Sequence, residues 1–183
     1  VSAYFLHADV GFGWDDFKVT LTGWYASGDD DPTDDDLEGF FSTDVDIFTG
    51  STVLMESYDD DNYFTERPYI LDKGLILVKG AFDWNATDKL KVGTALAYML
   101  TAEDIEYIDG DGTAGNDRQK EDEVGVELMG YLSYKLYQNV EFAINAGYLW
   151  AGDAMDAFEE DSIRDGKSDE DIFRSMARVR YSF

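Results

Sequence analysis

Aspartates gather in runs along this chain: Asp29-Asp30-Asp31, Asp34-Asp35-Asp36, Asp59-Asp60-Asp61 and the stretch Asp109-Gly110-Asp111-Gly112. Clustered carboxylates could supply the about 6–8 hard oxygens that calcium takes, which makes Asp29, Asp31, Asp109 and Asp111 the candidate ligands. The EF-hand pattern fails, because counting from Asp109 places Ala114 at position six and Lys120 at position twelve, where Gly and Glu are required. Solvated loops kept soluble by charge account for the runs better, so no cofactor is expected beyond such loop-bound calcium. His7 is the sole histidine, with Asp9 two residues on. A His–Asp pair without a placed nucleophile is not a triad, and no enzyme is expected. The glycines of Gly110-Asp111-Gly112-Thr113-Ala114-Gly115 lie among carboxylates that would repel phosphate. The sharper signal is cationic: Arg174, Arg178 and Arg180 share one parity, so a strand places all three on one face.

Seven strands carry these residues. They are expected at about 2–14, 17–27, 74–84, 89–102, 124–136, 140–151 and from 172 to the end. One face of each reads apolar: Leu6, Val10, Phe12 and Trp14; Phe17, Val19 and Leu21; Val78, Phe82 and Trp84; Leu96 and Tyr98; Val124, Val126, Leu128 and Leu132; Phe142, Ile144 and Tyr148; Phe173, Val179, Tyr181 and Phe183. Asp15-Asp16 makes a two-residue turn that sets Trp14 opposite Phe17. Short turns at 15–16, 85–88 and 138–139 alternate with long acidic loops at about 28–73, 103–123 and 152–171. Outer-membrane barrels have this asymmetry, with strands of about 9–11 residues crossing the bilayer. Aromatics cluster by the short turns (Trp14, Phe17, Trp84, Tyr134, Phe183) and again by the loops (Tyr4, Tyr25, Tyr98, Tyr148, Phe173), as girdles at two lipid–water boundaries would. The expected fold is therefore all-β: an antiparallel up-and-down transmembrane β-barrel, single-domain, in the bacterial outer membrane. A secreted β-sandwich is the soluble alternative, and it needs a second sheet over the apolar face.

Composition fits that reading. The net charge of −26 argues against nucleic acid, and the absence of cysteine removes disulfides and thiolate metal sites. No apolar run approaches the roughly 18 residues of a membrane helix. No basic n-region or apolar h-region opens the chain, so any leader is expected to have been removed. Bacterial barrels have even strand counts. Either Val45-Asp46-Ile47-Phe48 or Ser51-Thr52-Val53-Leu54-Met55 hides a strand, or the chain is the C-terminal sector of a larger barrel, the reading preferred here.

The polar parity faces inward and carries Lys18, Lys79, Lys89, Lys91, Lys135, Arg174, Arg178 and Arg180 against Asp9, Asp83, Glu127 and Glu141, with Asn145 adding a hydrogen-bonding group. Such a wall would line a water-filled pore that favours anions; the expected pore-lining set is Lys18, Lys79, Lys135, Glu127, Asn145, Arg174, Arg178 and Arg180. Some of these charges are expected to pair across strands, Lys135 with Glu141 and Asp83 with Lys89 or Lys91. The alternative is a scaffold whose acidic loops bind cations or an extracellular partner protein. Outer-membrane lipid and lipopolysaccharide are the expected surroundings, and homo-oligomers are open.

Two segments resemble known families. Arg178-Val179-Arg180-Tyr181-Ser182-Phe183 is similar to the terminal signal, with Tyr181 and Phe183 as its aromatics, that barrel-assembly machinery reads in outer-membrane proteins. Trp24-Tyr25-Ala26-Ser27-Gly28-Asp29-Asp30-Asp31-Pro32-Thr33-Asp34, with Phe40 after it, resembles the strand-to-loop signature of alginate-export-like porins, with Asp31 where that family has Asn. The resemblance implies a Gram-negative export or diffusion channel.

Overall fold

A computed structural model describes residues 3–30, 38–40, 51–53, 73–108, 118–158 and 171–183. Seven strands form one sheet: β1 (Phe5–Trp14), β2 (Phe17–Ala26), β3 (Leu75–Asn85), β4 (Leu90–Ile108), β5 (Arg118–Tyr137), β6 (Val140–Ala151) and β7 (Ile172–Tyr181). They pair in chain order, each antiparallel to the next. The sheet is not closed. β1 and β7 are its two edges and run in the same direction.

Local chemistry sets the turns. Asp15 takes a φ of 47° and pairs Trp14 with Phe17; aspartate is among the few residues that accept this left-handed conformation in a two-residue hairpin. The Thr87 hydroxyl accepts the amides of Lys89 and Leu90 at 3.2 and 3.0 Å, closing the second short turn. Gln138-Asn139 make the third.

The outer face keeps its large side chains uncovered, Leu21, Val78, Leu96, Leu128, Ile144 and Val179 among them. Among the described residues no second sheet lies on it. Rings meet along its short-turn end: Trp14–Phe17, tilted, at 5.8 Å, and Phe17 stacked on Phe82 at 5.7 Å and on Trp84 at 6.2 Å between centroids.

Several expectations need correction. The second acidic segment is mostly strand: β4 runs on to Ile108 and β5 starts at Arg118, with Ile105 opposite Glu121 and an ion pair between Lys120 and Glu106. Cross-strand charge pairing extends the ladder through residues too polar to read as strand. Val124, placed outward by parity, is fully buried on the inner side. Met99 pairs with Gly125 and Leu100 with Glu123, so Val124 is the extra residue of a bulge. Gly125 supplies the φ of 131° that the bulge needs, and the insertion reverses the faces beyond it. Residues 51–53, part of a candidate hidden strand, form no ladder; 45–48 and 54–55 lie outside the described residues. The third acidic segment holds a short 3-10 helix, Asp153–Phe158.

The inner face is not polar throughout. At its long-loop end Leu75, Leu77, Met99, Val124 and Leu149 form a dry cluster with Val53 and Met155. The run Leu75-Ile76-Leu77-Val78 is apolar on both parities: Leu75 and Leu77 are buried on the inner side, while Val78 is exposed on the other. Here Val53 and the 3-10 helix supply the inner cover.

Candidate functional site

Strand register places Asp9, Thr22, Lys79, Ala97, Glu127 and Leu149 in one row across the inner wall. Asp9 accepts the Thr22 hydroxyl at 2.5 Å and meets His7 Nε2 at 3.2 Å. Lys79 lies within electrostatic reach of both Asp9 and Glu127. Glu127 itself is flanked by Ala97 and Leu149, neither of which can answer a carboxylate.

Its partners come from 75 residues away. Glu127 Oε2 accepts the Ser51 hydroxyl, and Oε1 accepts the amides of Thr52 at 2.8 Å and Val53 at 2.9 Å. Arg174 Nη1 then donates to the Val53 carbonyl at 3.1 Å. The segment is thus held at both polar edges of its backbone, while the Val53 side chain enters the dry cluster. Gly147 makes the approach possible, because a Cβ there would overlap Glu127 Oε1 and crowd Thr52. Glu127 is 0 % exposed. An unpaired carboxylate at such a site costs several kcal/mol, and hydrogen bonds to a charged acceptor are worth about 1.5–3 kcal/mol each, so three donors offset that cost.

Toward the short turns this face is more polar. Asp83 pairs with Lys91 Nζ at 2.8 Å, one of the two expected partners, and accepts the Tyr131 hydroxyl at 2.9 Å. Lys135 stands opposite Glu141 in register, with Arg180 on the far side of that glutamate. Lys91 and Arg178 lie in one row with only Ser133 and Ala143 between them.

Of the expected pore-lining residues, Lys18, Lys135 and Arg180 are exposed, whereas Lys79, Asn145, Arg174 and Arg178 are half-buried. Glu127 faces the segment rather than open solvent, and Arg174 is engaged with the same segment. Tyr181 and Phe183 are exposed at the end of the outer face. Asp29 is buried and its carbonyl accepts Lys73 Nζ at 2.8 Å; Asp31, Asp109 and Asp111 lie outside the described residues. Among the described residues no three His, Asp or Glu side chains gather as metal ligands.

Ser51, Thr52, Val53, Gly147 and Tyr131 were not anticipated as site residues. One signal could have found the first three: an inward glutamate whose two strand neighbours are apolar needs a partner from elsewhere.

Residues 24–29 and Phe40 are tied together where β2 ends. Ser27 Oγ accepts the Tyr4 amide at 2.9 Å and donates to the Glu38 carbonyl at 2.8 Å, and the Phe40 amide donates to the Ser27 carbonyl at 2.9 Å. The Phe40 ring stacks on Phe5 at 5.0 Å, and Phe5 meets Trp24 edge-on at 5.3 Å. A scan against family models found no match, and searches of curated proteins and of solved structures found none either.

Proposed function

We propose that this chain is a wall sector of an outer-membrane β-barrel channel. Its outer face lies in lipid, and its inner face lines an aqueous passage narrowed by Ser51–Val53. Polar solutes, chiefly anionic, cross by diffusion.

The supporting observation is the slant of the two aromatic levels. On β2 the levels are Phe17 and Tyr25, and on β7 they are Phe173 and Tyr181, whose ring meets that of Phe183 at 6.2 Å; taken at Tyr181 the levels are eight residues apart in both strands. Register carries the Phe17 row to Ala177, so Tyr181 is displaced four residues toward the strand end. Phe173 falls in the row of Leu21, displaced from Tyr25 by the same four residues. Four residues are about 14 Å and five strand spacings about 24 Å, which tilts the strands about 30° from the normal to both levels. That approaches the roughly 35–45° tilt of membrane barrels, and the tilted eight-residue separation gives a band about 23 Å tall against the roughly 25 Å expected. A soluble sandwich has no reason to hold two parallel belts oblique to its own ladder.

Closure of an antiparallel barrel requires an odd number of further strands between β7 and β1, because both run the same way. The anionic preference rests on Arg178 and Arg180 with Lys91 and Lys135 near the short-turn mouth. A polymeric acid is the cargo that the resemblance to alginate-export-like porins suggests. Planar-bilayer recording tests the proposal: Arg178→Gln with Arg180→Gln lowers the anion-to-cation permeability ratio. An unchanged ratio removes the selectivity mechanism. Absence of current in the wild-type protein removes the channel and leaves the scaffold of acidic loops.

A further inference from the structure

The clasp around Ser51–Val53 is built for the backbone of a peptide. Glu127 receives two successive amides and a hydroxyl, Arg174 answers the next carbonyl, and an apolar recess takes the third side chain. None of these contacts reads what is peculiar to this segment beyond a small hydroxylic residue followed, two positions on, by an aliphatic one. Carboxylate and guanidinium both belong to the wall, on β5 and β7, and the floor between them is opened by Gly147 on β6. The recognition chemistry therefore belongs to the sheet and not to the segment.

We propose that Glu127 and Arg174 form a binding site for extended peptides, which the chain's own Ser51–Val53 occupies as a stand-in. The ligand class is a peptide with a free N–H at two consecutive residues and a β-branched or similar aliphatic side chain at the second of them. Proline at the first of those two residues is excluded, since it lacks the N–H that Glu127 takes from Thr52. The inference rests on the channel reading in one respect: the inner face must be reachable from water.

Binding is tested in detergent micelles, without reference to current. The combined variant Ser51→Gly, Thr52→Pro, Val53→Gly removes the segment's hydroxyl, one of its two amide donors and its aliphatic side chain, and leaves every wall residue in place. Its affinity for Ac-Ser-Thr-Val-NH2, titrated by saturation-transfer NMR, is expected to exceed its affinity for Ac-Ser-Pro-Val-NH2 by at least tenfold. The wild-type protein, with its clasp filled, binds the first peptide at least tenfold more weakly than the variant does. Adding Glu127→Gln to the variant removes at least tenfold of the affinity, and Arg174→Lys, at a half-buried position, weakens it severalfold. Equal affinity for the two peptides overturns the proposal, as does an affinity that neither wall substitution changes; Ser51–Val53 is then a staple only. A variant that binds peptide in a protein that never conducts retains the clasp and refutes the channel. A conducting variant that ignores peptide does the reverse.

Discussion

Leu21 lies midway between the two aromatic levels on β2, four residues from Phe17 and four from Tyr25, and its side chain is 55 % exposed. If hydrocarbon covers it, Leu21→Arg places a guanidinium near the bilayer midplane, at a cost of about 2–4 kcal/mol. The substitution then lowers the folding equilibrium in vesicles by about 30- to 1,000-fold, since 1.4 kcal/mol is a factor of ten. Tyr25→Arg at the belt, by contrast, costs only about 0–1 kcal/mol, because the side chain reaches the headgroups. The assay is a guanidinium titration of refolding into phosphatidylcholine vesicles, followed by tryptophan fluorescence and by heat-modifiable gel mobility. Water over the same face gives the opposite outcome: an arginine at a half-exposed site in water changes stability by less than about 0.5 kcal/mol. A Leu21→Arg protein that refolds within that margin of wild type, or no worse than Tyr25→Arg, refutes the lipid assignment.

The remaining predictions concern the wall. Glu127→Ala strips the clasp of three hydrogen bonds and releases Ser51–Val53; chemical denaturation should show a loss of about 2–4 kcal/mol, and single-channel conductance should rise. Val124→Asp, at a position whose parity points outward but whose side chain is fully buried on the inner side, should cost at least about 3 kcal/mol, whereas an outward Val124 would make the change mild in water-facing flanks of the ribbon; the same denaturation series separates the two. Asp83→Asn removes the charge that pairs with Lys91 and accepts the Tyr131 hydroxyl; with the Lys91 side chain 49 % and the Asp83 side chain 14 % exposed, the same denaturation series should show a loss of about 1–2 kcal/mol.

Much of the architecture was legible because a strand's period of two is a local property. Trp14 opposite Phe17 and Lys135 opposite Glu141 follow from alternation plus a turn of known length, whereas alternation leaves both Lys89 and Lys91 open to Asp83 and only the structure selects Lys91. What escaped was non-local or non-periodic. Val124 was misplaced because a single inserted residue reverses parity, and only Gly125 hints at it. The β4–β5 ribbon does not read as strand because Glu106, Lys120 and Glu121 are too polar to suggest one, although Glu106 and Lys120 stabilise it by facing each other across the ladder. The clasp escaped because it joins residues 51–53 to Glu127 without any periodic signal, even though Glu127 between Ala97 and Leu149 is a charge in want of a partner.

The central claim is that the outer face touches hydrocarbon. The chain has no cysteine, so single cysteines at 17, 19, 21, 23 and 25 on β2 can each carry a nitroxide in a bilayer-reconstituted protein. The ratio of oxygen to nickel-complex accessibility is expected to peak at 21 and to fall toward 17 and 25, as oxygen partitions into acyl chains and the nickel complex stays in water. A flat profile, or nickel access at 21 equal to that of a label at the exposed rim residue Asp30, contradicts it.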